Sequence, residues 1–323
     1  MRAVVCHSYG PPEDLVVDDV ADPVPGPGQL VVRVHTAAVN FPDVLLIAGK
    51  YQIKIPVPFT PGSELAGEVI AVGDDVSFRP GQRVSATTPT GAFAEQALLH
   101  SAAVTKIPDD ADFASAAAFG VTYRTAYHAL RSIAYVDQGD WVVVLGAAGG
   151  VGLAAVDLAG AMKARVLAAA SSPEKLELCR QRGAEATIDY DREDLKSRIR
   201  ELTGDTARVV LDPVGGSYAE PALRGLARGG IFVTLGYAAG AIPAIPLNLV
   251  LLKGITVQGM EIRTFMSDRP DDAERDMQEL GQMFAAGVIR PYVGARFELA
   301  DTEAALRHVA DRKAIGKVVI DVA

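Results

Sequence analysis

The rhythm of apolar and polar positions changes twice along the chain. In the first third, apolar residues come in short runs broken by turn residues. Residues 30–34 read as a strand, preceded by the turn run Pro23-Val24-Pro25-Gly26-Pro27-Gly28. Residues 64–72 and 83–86 read as further strands, separated by Gly73-Asp74-Asp75 and the Pro80-Gly81 turn. Strands punctuated in this way predict a compact barrel or sandwich. From Trp141 onward, strands alternate with helices. Residues 141–145 form a short apolar strand, followed by a glycine-rich turn, a helix over 151–162 and a strand over 165–169. That is a β-α-β unit of about 30 residues. Residues 173–182 read as a helix with Glu174 and Glu177 early and Arg180 and Arg182 late, as the helix dipole favours. Residues 209–211, 231–235 and 256–258 are three more short strands. The alternation predicts an α/β, doubly wound parallel sheet. The tail returns to the first style, with a strand over 297–299, a helix over 302–310 capped by Asp301, and a β-type run over 317–322. A strand there could rejoin the N-terminal domain and make it discontinuous.

The turn Ala147-Ala148-Gly149-Gly150-Val151-Gly152 follows a predicted strand and opens a predicted helix, which is the context a dinucleotide-binding turn requires. Ala147 stands where the first glycine usually does. Gly149 would let the backbone approach a pyrophosphate, and Gly152 would let the helix pack against the sheet. The helix N-terminus offers free N–H groups and partial positive charge to the phosphates. A tight turn with no ligand is the competing reading.

The next strand bears on which dinucleotide. An NAD site usually carries Asp or Glu about 20 residues on, accepting from the ribose 2′-hydroxyl. Here the strand ends Ala168-Ala169-Ala170-Ser171-Ser172, without an acid. Ser171 can donate hydrogen bonds, Lys175 supplies a cation within a turn, and Tyr190 could add a hydroxyl after the following strand. NADPH is therefore favoured over NADH. A solvated surface lysine is the alternative for Lys175.

Composition narrows the partners. The 323 residues suggest about two domains. The net charge is −9 with no basic block, which argues against nucleic acid. The two cysteines, Cys6 and Cys179, fit reduced thiols in a cytoplasmic protein. Neither a secretory signal nor a membrane span is expected. The five histidines lack metal spacing, and no Gly-x-Ser-x-Gly elbow supports a hydrolase.

Several motifs together resemble the zinc-free, zeta-crystallin-like quinone oxidoreductases of the medium-chain dehydrogenase/reductase superfamily. They are Ala38-Val39-Asn40-Phe41-Pro42-Asp43, Pro61-Gly62-Ser63-Glu64-Leu65-Ala66-Gly67, Pro80-Gly81-Gln82-Arg83-Val84, the glycine turn, and Gly316-Lys317-Val318-Val319. The resemblance implies a GroES-like β-rich catalytic domain over 1–123 and 264–323, and a Rossmann NADPH-binding domain over 124–263. It also implies a coenzyme in the cleft between the domains, and a homodimer joined through the Rossmann sheets. Zinc-dependent relatives carry Cys at Asn40 and His at Ser63, with a third ligand near Val121. Glu64 alone cannot hold zinc, so no metal is expected.

Without a Lewis acid, alcohol oxidation gives way to hydride transfer onto a quinone or activated alkene, whose developing charge delocalises. The resemblance points to Asn40 for the acceptor carbonyl or the nicotinamide ribose. Tyr51 would be either a proton donor or a loop aromatic packing on the domain. Thr122, Gly236, Tyr237 and Met260 are expected near the nicotinamide, and Lys317 either at the coenzyme phosphates or in solvent. Asp43 is expected to cap a helix or fix a loop, and Glu64 to fix the strand or pair with a basic residue. A quinone reductase is the leading expectation. An enone reductase and a non-catalytic NADPH-binding protein are the rivals.

Overall fold

The computed structural model describes residues 1–322. They form two compact units, one made of Met1–Val121 with the segment from Pro291 onward, the other of Thr122–Arg290.

The first unit is built on Gln29–Val39, an eleven-residue strand that pairs antiparallel with Glu64–Val72, with Gln96–His100 and with Lys317–Asp321. The C-terminal strand thus sits beside the N-terminal one, with Val319 opposite Ala38. Val293–Glu298 adds on its far side in parallel. Buried Leu30, Val32, Leu65, Phe93, Val318 and Ile320 fill the core. The cap expected from Asp301 is not formed: its side chain bonds no first-turn N–H. A short 3-10 turn, Leu299–Asp301, leads into the helix instead, and the Thr302 hydroxyl donates to the Leu299 carbonyl at 2.8 Å.

The second unit holds a six-stranded parallel sheet. Its spatial order is Ala186–Asp189, Arg165–Ala170, Trp141–Leu145, Ala207–Asp212, Ile231–Thr234, Thr256–Gly259. Trp141–Leu145 is buried at every position, as a central strand covered on both faces must be. Local signals place the helices. Ser172 caps Pro173–Gln181, with Pro173 first, Glu174 in the first turn and Arg180 in the last. Asp194 caps Leu195–Thr203, and Gly204 ends it at φ +61°.

The second unit runs to residue 290, where the sequence placed a boundary at 263. The reason is polar. Helix Pro270–Ala285 carries Asp276, which accepts from Ser132 at 2.6 Å and lies 2.8 Å from His128 Nδ1, and Glu279, which accepts from Tyr127 at 2.6 Å. These contacts tie residues 270–285 to helix Gly120–His128 and the turn that follows it. No helix among the described residues is long and apolar enough to cross a membrane. Both cysteines are free and buried.

Candidate functional site

The sequence-predicted residues divide between the units. In the second unit most of them gather past the carboxyl ends of the parallel strands. The strand order reverses between Trp141–Leu145 and Ala207–Asp212, so this edge contains the topological switch point where such sheets take ligands.

The glycine turn leaves the central strand there. Gly146, which the sequence reading passed over, makes the sharp bend at φ +57°. It supplies the conformational freedom at the start of the turn, one residue before Ala147. Helix Gly150–Ala161 follows, with Gly149 as its cap. A Cβ on Gly152 would lie 2.2 Å from the Gly146 carbonyl oxygen, so only glycine lets the helix approach the strand this closely. Gly149 has no side chain to bond the first-turn N–H groups, and those of Gly150 and Val151 are left for an anion. Ala148 is buried beneath the turn.

Beside it, Lys175 Nζ donates to Ser171 Oγ at 3.3 Å. The Tyr190 N–H donates to the Ala170 carbonyl at 3.2 Å, which sets Tyr190 next to Ser171, and its ring packs at a tilt against Tyr218, centroids 4.3 Å apart. The acids of this corner have partners of their own. Asp191 accepts from the Tyr218 hydroxyl at 2.7 Å, and Asp189 lies 3.6 Å from Arg192. Further along the edge, Gly236 and the exposed Tyr237 follow Ile231–Thr234. Buried Met260 follows the last strand, its N–H donating to the Thr234 carbonyl at 3.1 Å. Thr122 is buried in the first turn of helix Gly120–His128.

The first unit holds a different cluster. Asn40 precedes helix Phe41–Ile47, and its N–H donates to Asp43 Oδ2 at 2.7 Å. That i, i+3 spacing is one half of a capping box. The Asn40 side chain turns elsewhere. Its Nδ2 donates to Glu64 Oε2 at 3.0 Å and sits 3.5 Å from Ser63 Oγ. Its Oδ1 accepts from Lys317 Nζ at 2.6 Å. Lys317 also donates to Glu64 Oε2 at 3.2 Å and to the Val39 carbonyl at 3.3 Å. Glu64 Oε1 accepts from the Val121 N–H at 2.7 Å.

Lys317 therefore corrects its expectation. Its side chain is buried and its three donors are all engaged, so it neither lies in solvent nor has an N–H left over for a phosphate. Tyr51 is partly buried and packs against the first unit's core. Asp43 is almost fully buried, and desolvation pushes its carboxyl up to about 7. The bond from the Asn40 N–H, the Ser63 hydroxyl and the Lys317 charge oppose that rise.

Residues 26–109 match the alcohol dehydrogenase GroES-like domain, and residues 150–282 match the zinc-binding dehydrogenase family. A quinone oxidoreductase-like protein 2 homolog of Nematostella vectensis is 38% identical over 99% of this chain and 88% of its own length. The chain belongs to the quinone oxidoreductase family of the medium-chain dehydrogenase/reductase superfamily. A quinone oxidoreductase of Pseudomonas aeruginosa is 36% identical over 97% of both chains. The crystal structure of Escherichia coli quinone oxidoreductase complexed with NADPH superposes with a TM-score of 0.92. It is 27% identical and covers 99% of this chain and 100% of that one.

Despite the description of the second family, the Asn40 cluster does not fit zinc. It offers an amide, a hydroxyl and one carboxylate, and that carboxylate is already paired with an ammonium. The ammonium would repel a second cation, and no thiolate or imidazole is at hand. Among the described residues no group of three or more His, Cys, Asp or Glu is placed to hold a metal.

Proposed function

We propose that the chain is an NADPH-dependent, zinc-independent reductase of quinones and similar activated carbonyl acceptors. The observation that carries this reading is the pairing of Lys175 with Ser171 at the carboxyl edge of the sheet, beside a glycine turn whose helix leaves its first N–H groups open. Gly149, Gly150, Val151 and Gly152, lying over Ala148, fit a pyrophosphate. Ser171, Lys175 and Tyr190 fit a ribose 2′-phosphate, since they combine a cation with hydroxyl donors and their neighbouring acids are engaged. Gly236, Tyr237, Met260 and Thr122 are assigned to the nicotinamide side. NADPH, when bound, supplies the hydride. Asn40 is held rigidly by Lys317 and Glu64, and the Nδ2 hydrogen that points toward Ser63, across a long 3.5 Å, is the donor assigned to orient the acceptor. A delocalised acceptor needs no metal, which agrees with a cluster built around an ammonium ion. Two buried, free thiols agree with a cytoplasmic location.

Turnover tests this directly. In the presence of a metal chelator, NADPH absorbance is expected to fall when a benzoquinone or naphthoquinone is added. Consumption with enones alone would favour an enone reductase, and none with any acceptor would leave a binding protein.

The reading includes a homodimer joined edge to edge. Thr256–Gly259 is the last strand of the parallel sheet. It carries exposed Val257, and exposed Leu247, Leu251 and Leu252 lie on the helix just before it, Leu251 being 80% exposed. An open strand edge flanked by apolar side chains invites an identical edge. Light scattering should find a dimer, and Leu251→Lys combined with Val257→Lys should yield monomers. A monomeric wild type would contradict it.

A further inference from the structure

Acids crowd the corner proposed for the 2′-phosphate. Asp189 and Asp191 flank Tyr190 where the chain leaves strand Ala186–Asp189, and Glu193 and Asp194 follow. A phosphate placed beside them is repelled unless their charges are offset. Most of them are. Asp189 Oδ2 lies 3.6 Å from Arg192 Nε, and its Oδ1 accepts the Asp191 N–H at 3.2 Å. Glu193 accepts from Arg198 Nε at 2.7 Å and from the Asp189 N–H at 2.8 Å. Asp194 caps the next helix. Asp191 differs. It is exposed, and among the described residues its carboxylate pairs with no cation. It accepts from the Tyr218 hydroxyl, a neutral donor, at 2.7 Å.

Tyr218 is brought there by a closely packed turn. It ends the 3-10 turn Gly216–Tyr218, just beyond strand Ala207–Asp212. Gly215 and Gly216 both take left-handed φ, +67° and +61°. A Cβ on Gly215 would lie 2.8 Å from Tyr237 Cδ1, and one on Gly216 would lie 2.9 Å from Ala239 Cβ. Asp212 Oδ1 accepts the Val214 and Gly215 N–H groups at 2.8 Å each, and the Gly216 N–H donates to the Ala241 carbonyl at 2.9 Å. From this turn the Tyr218 ring reaches Tyr190, tilted by 39°. The same side chain therefore touches Tyr190 with its ring and Asp191 with its hydroxyl. Phenylalanine would fill the space equally well, so packing alone does not account for the hydroxyl.

We propose that Tyr218 selects for NADPH by holding the Asp191 carboxylate on its own hydroxyl, which keeps that charge away from the 2′-phosphate. This rests on the coenzyme reading above. An acid in such a corner usually accepts from the ribose 2′-hydroxyl and disfavours a phosphate there. Asp191 is an acid of that kind, carried one strand further on. Tyr190, its neighbour in the chain, lies next to Ser171. Released from Tyr218, the carboxylate would compete with the phosphate for the Lys175 ammonium. Tyr218 acts on the coenzyme through Asp191 and Tyr190 and is a positioning residue.

Binding of NADPH and NADH to the full chain, followed by their fluorescence, tests this. Tyr218→Phe keeps the ring against Tyr190 and removes only the hydroxyl, so its thermal unfolding should match the wild type's. Its preference for NADPH over NADH should fall about fivefold, the effect of one exposed charge. Asp191→Asn alone should not lower the preference. Combined with Tyr218→Phe, it should return the preference to within about twofold of the wild type, because no charge is left to release. At about 1 M sodium chloride, where the Debye length falls to about 3 Å, the gap between Tyr218→Phe and the wild type should narrow. A role in packing alone would respond neither to the second substitution nor to salt. A Tyr218→Phe chain that keeps the wild-type preference, or a loss that Asp191→Asn does not restore, would overturn the role of Tyr218 alone. A wild type without any preference for NADPH would overturn the coenzyme reading and this one together.

Discussion

Replacing Lys317 with methionine is expected to destabilise the chain by about 3–5 kcal/mol, the cost of leaving a buried charge without its partner. Lys317 and Glu64 are exposed by only 4% and 1%. Methionine matches the lysine stem in length but not its charge. Glu64 would keep the Val121 N–H and the Asn40 amide, two neutral donors, against the desolvation of a full negative charge. Asn40 Oδ1 would also lose its bond at 2.6 Å. Adding Glu64→Gln should recover more than half of the loss, because the double variant buries no unpaired charge. Urea unfolding of the four proteins of this cycle measures both quantities. A loss below about 1 kcal/mol for Lys317→Met, the value of a solvated surface pair, would mean that the network is wet and the ammonium dispensable.

The second large effect is on coenzyme choice. Lys175→Ala removes the cation from the Ser171 corner while leaving the glycine turn intact. A hydrogen bond to a charged group contributes about 1.5–3 kcal/mol, which is roughly a tenfold to hundredfold change in affinity. The loss should fall on NADPH alone, because NADH presents a hydroxyl where NADPH carries the phosphate. Cap and helix should survive, since Ser172 bonds the backbone N–H of residue 175 and not its side chain.

Much of this architecture was legible because it is written locally. Trp141–Leu145 and Glu64–Val72 announce themselves as apolar runs between turns, and the structure gives them those bounds. The glycine turn and the Ser171, Lys175, Tyr190 corner lie within one β-α-β stretch and its continuation. Their meeting point follows from the alternation of strands and helices. What was illegible depends on distant partners. A lysine at the start of a strand reads as solvated or as reaching a coenzyme phosphate. Lys317 is buried because Asn40 and Glu64, 277 and 253 residues away, face it. The placement of residues 264–290 escaped notice for the same reason, since Asp276 and Glu279 find their partners about 150 residues earlier, at His128, Ser132 and Tyr127. Local patterns also misled. Asp301 has the composition of a cap without the geometry, and Gly146, between the strand and the glycine turn, makes the bend that Ala147 drew attention away from. The Asn40–Asp43 spacing did signal a helix start, but nothing near it in sequence shows that the Asn40 amide faces Ser63 and Glu64.

The central claim is a coenzyme site that selects for the 2′-phosphate. Fluorescence titration of the purified chain with NADPH and with NADH, alongside Lys175→Ala, tests it most directly. The account predicts tighter binding of NADPH by at least about tenfold, a preference that Lys175→Ala abolishes while NADH affinity stays within about twofold. Equal affinities in the wild type, or tighter NADH, would contradict it.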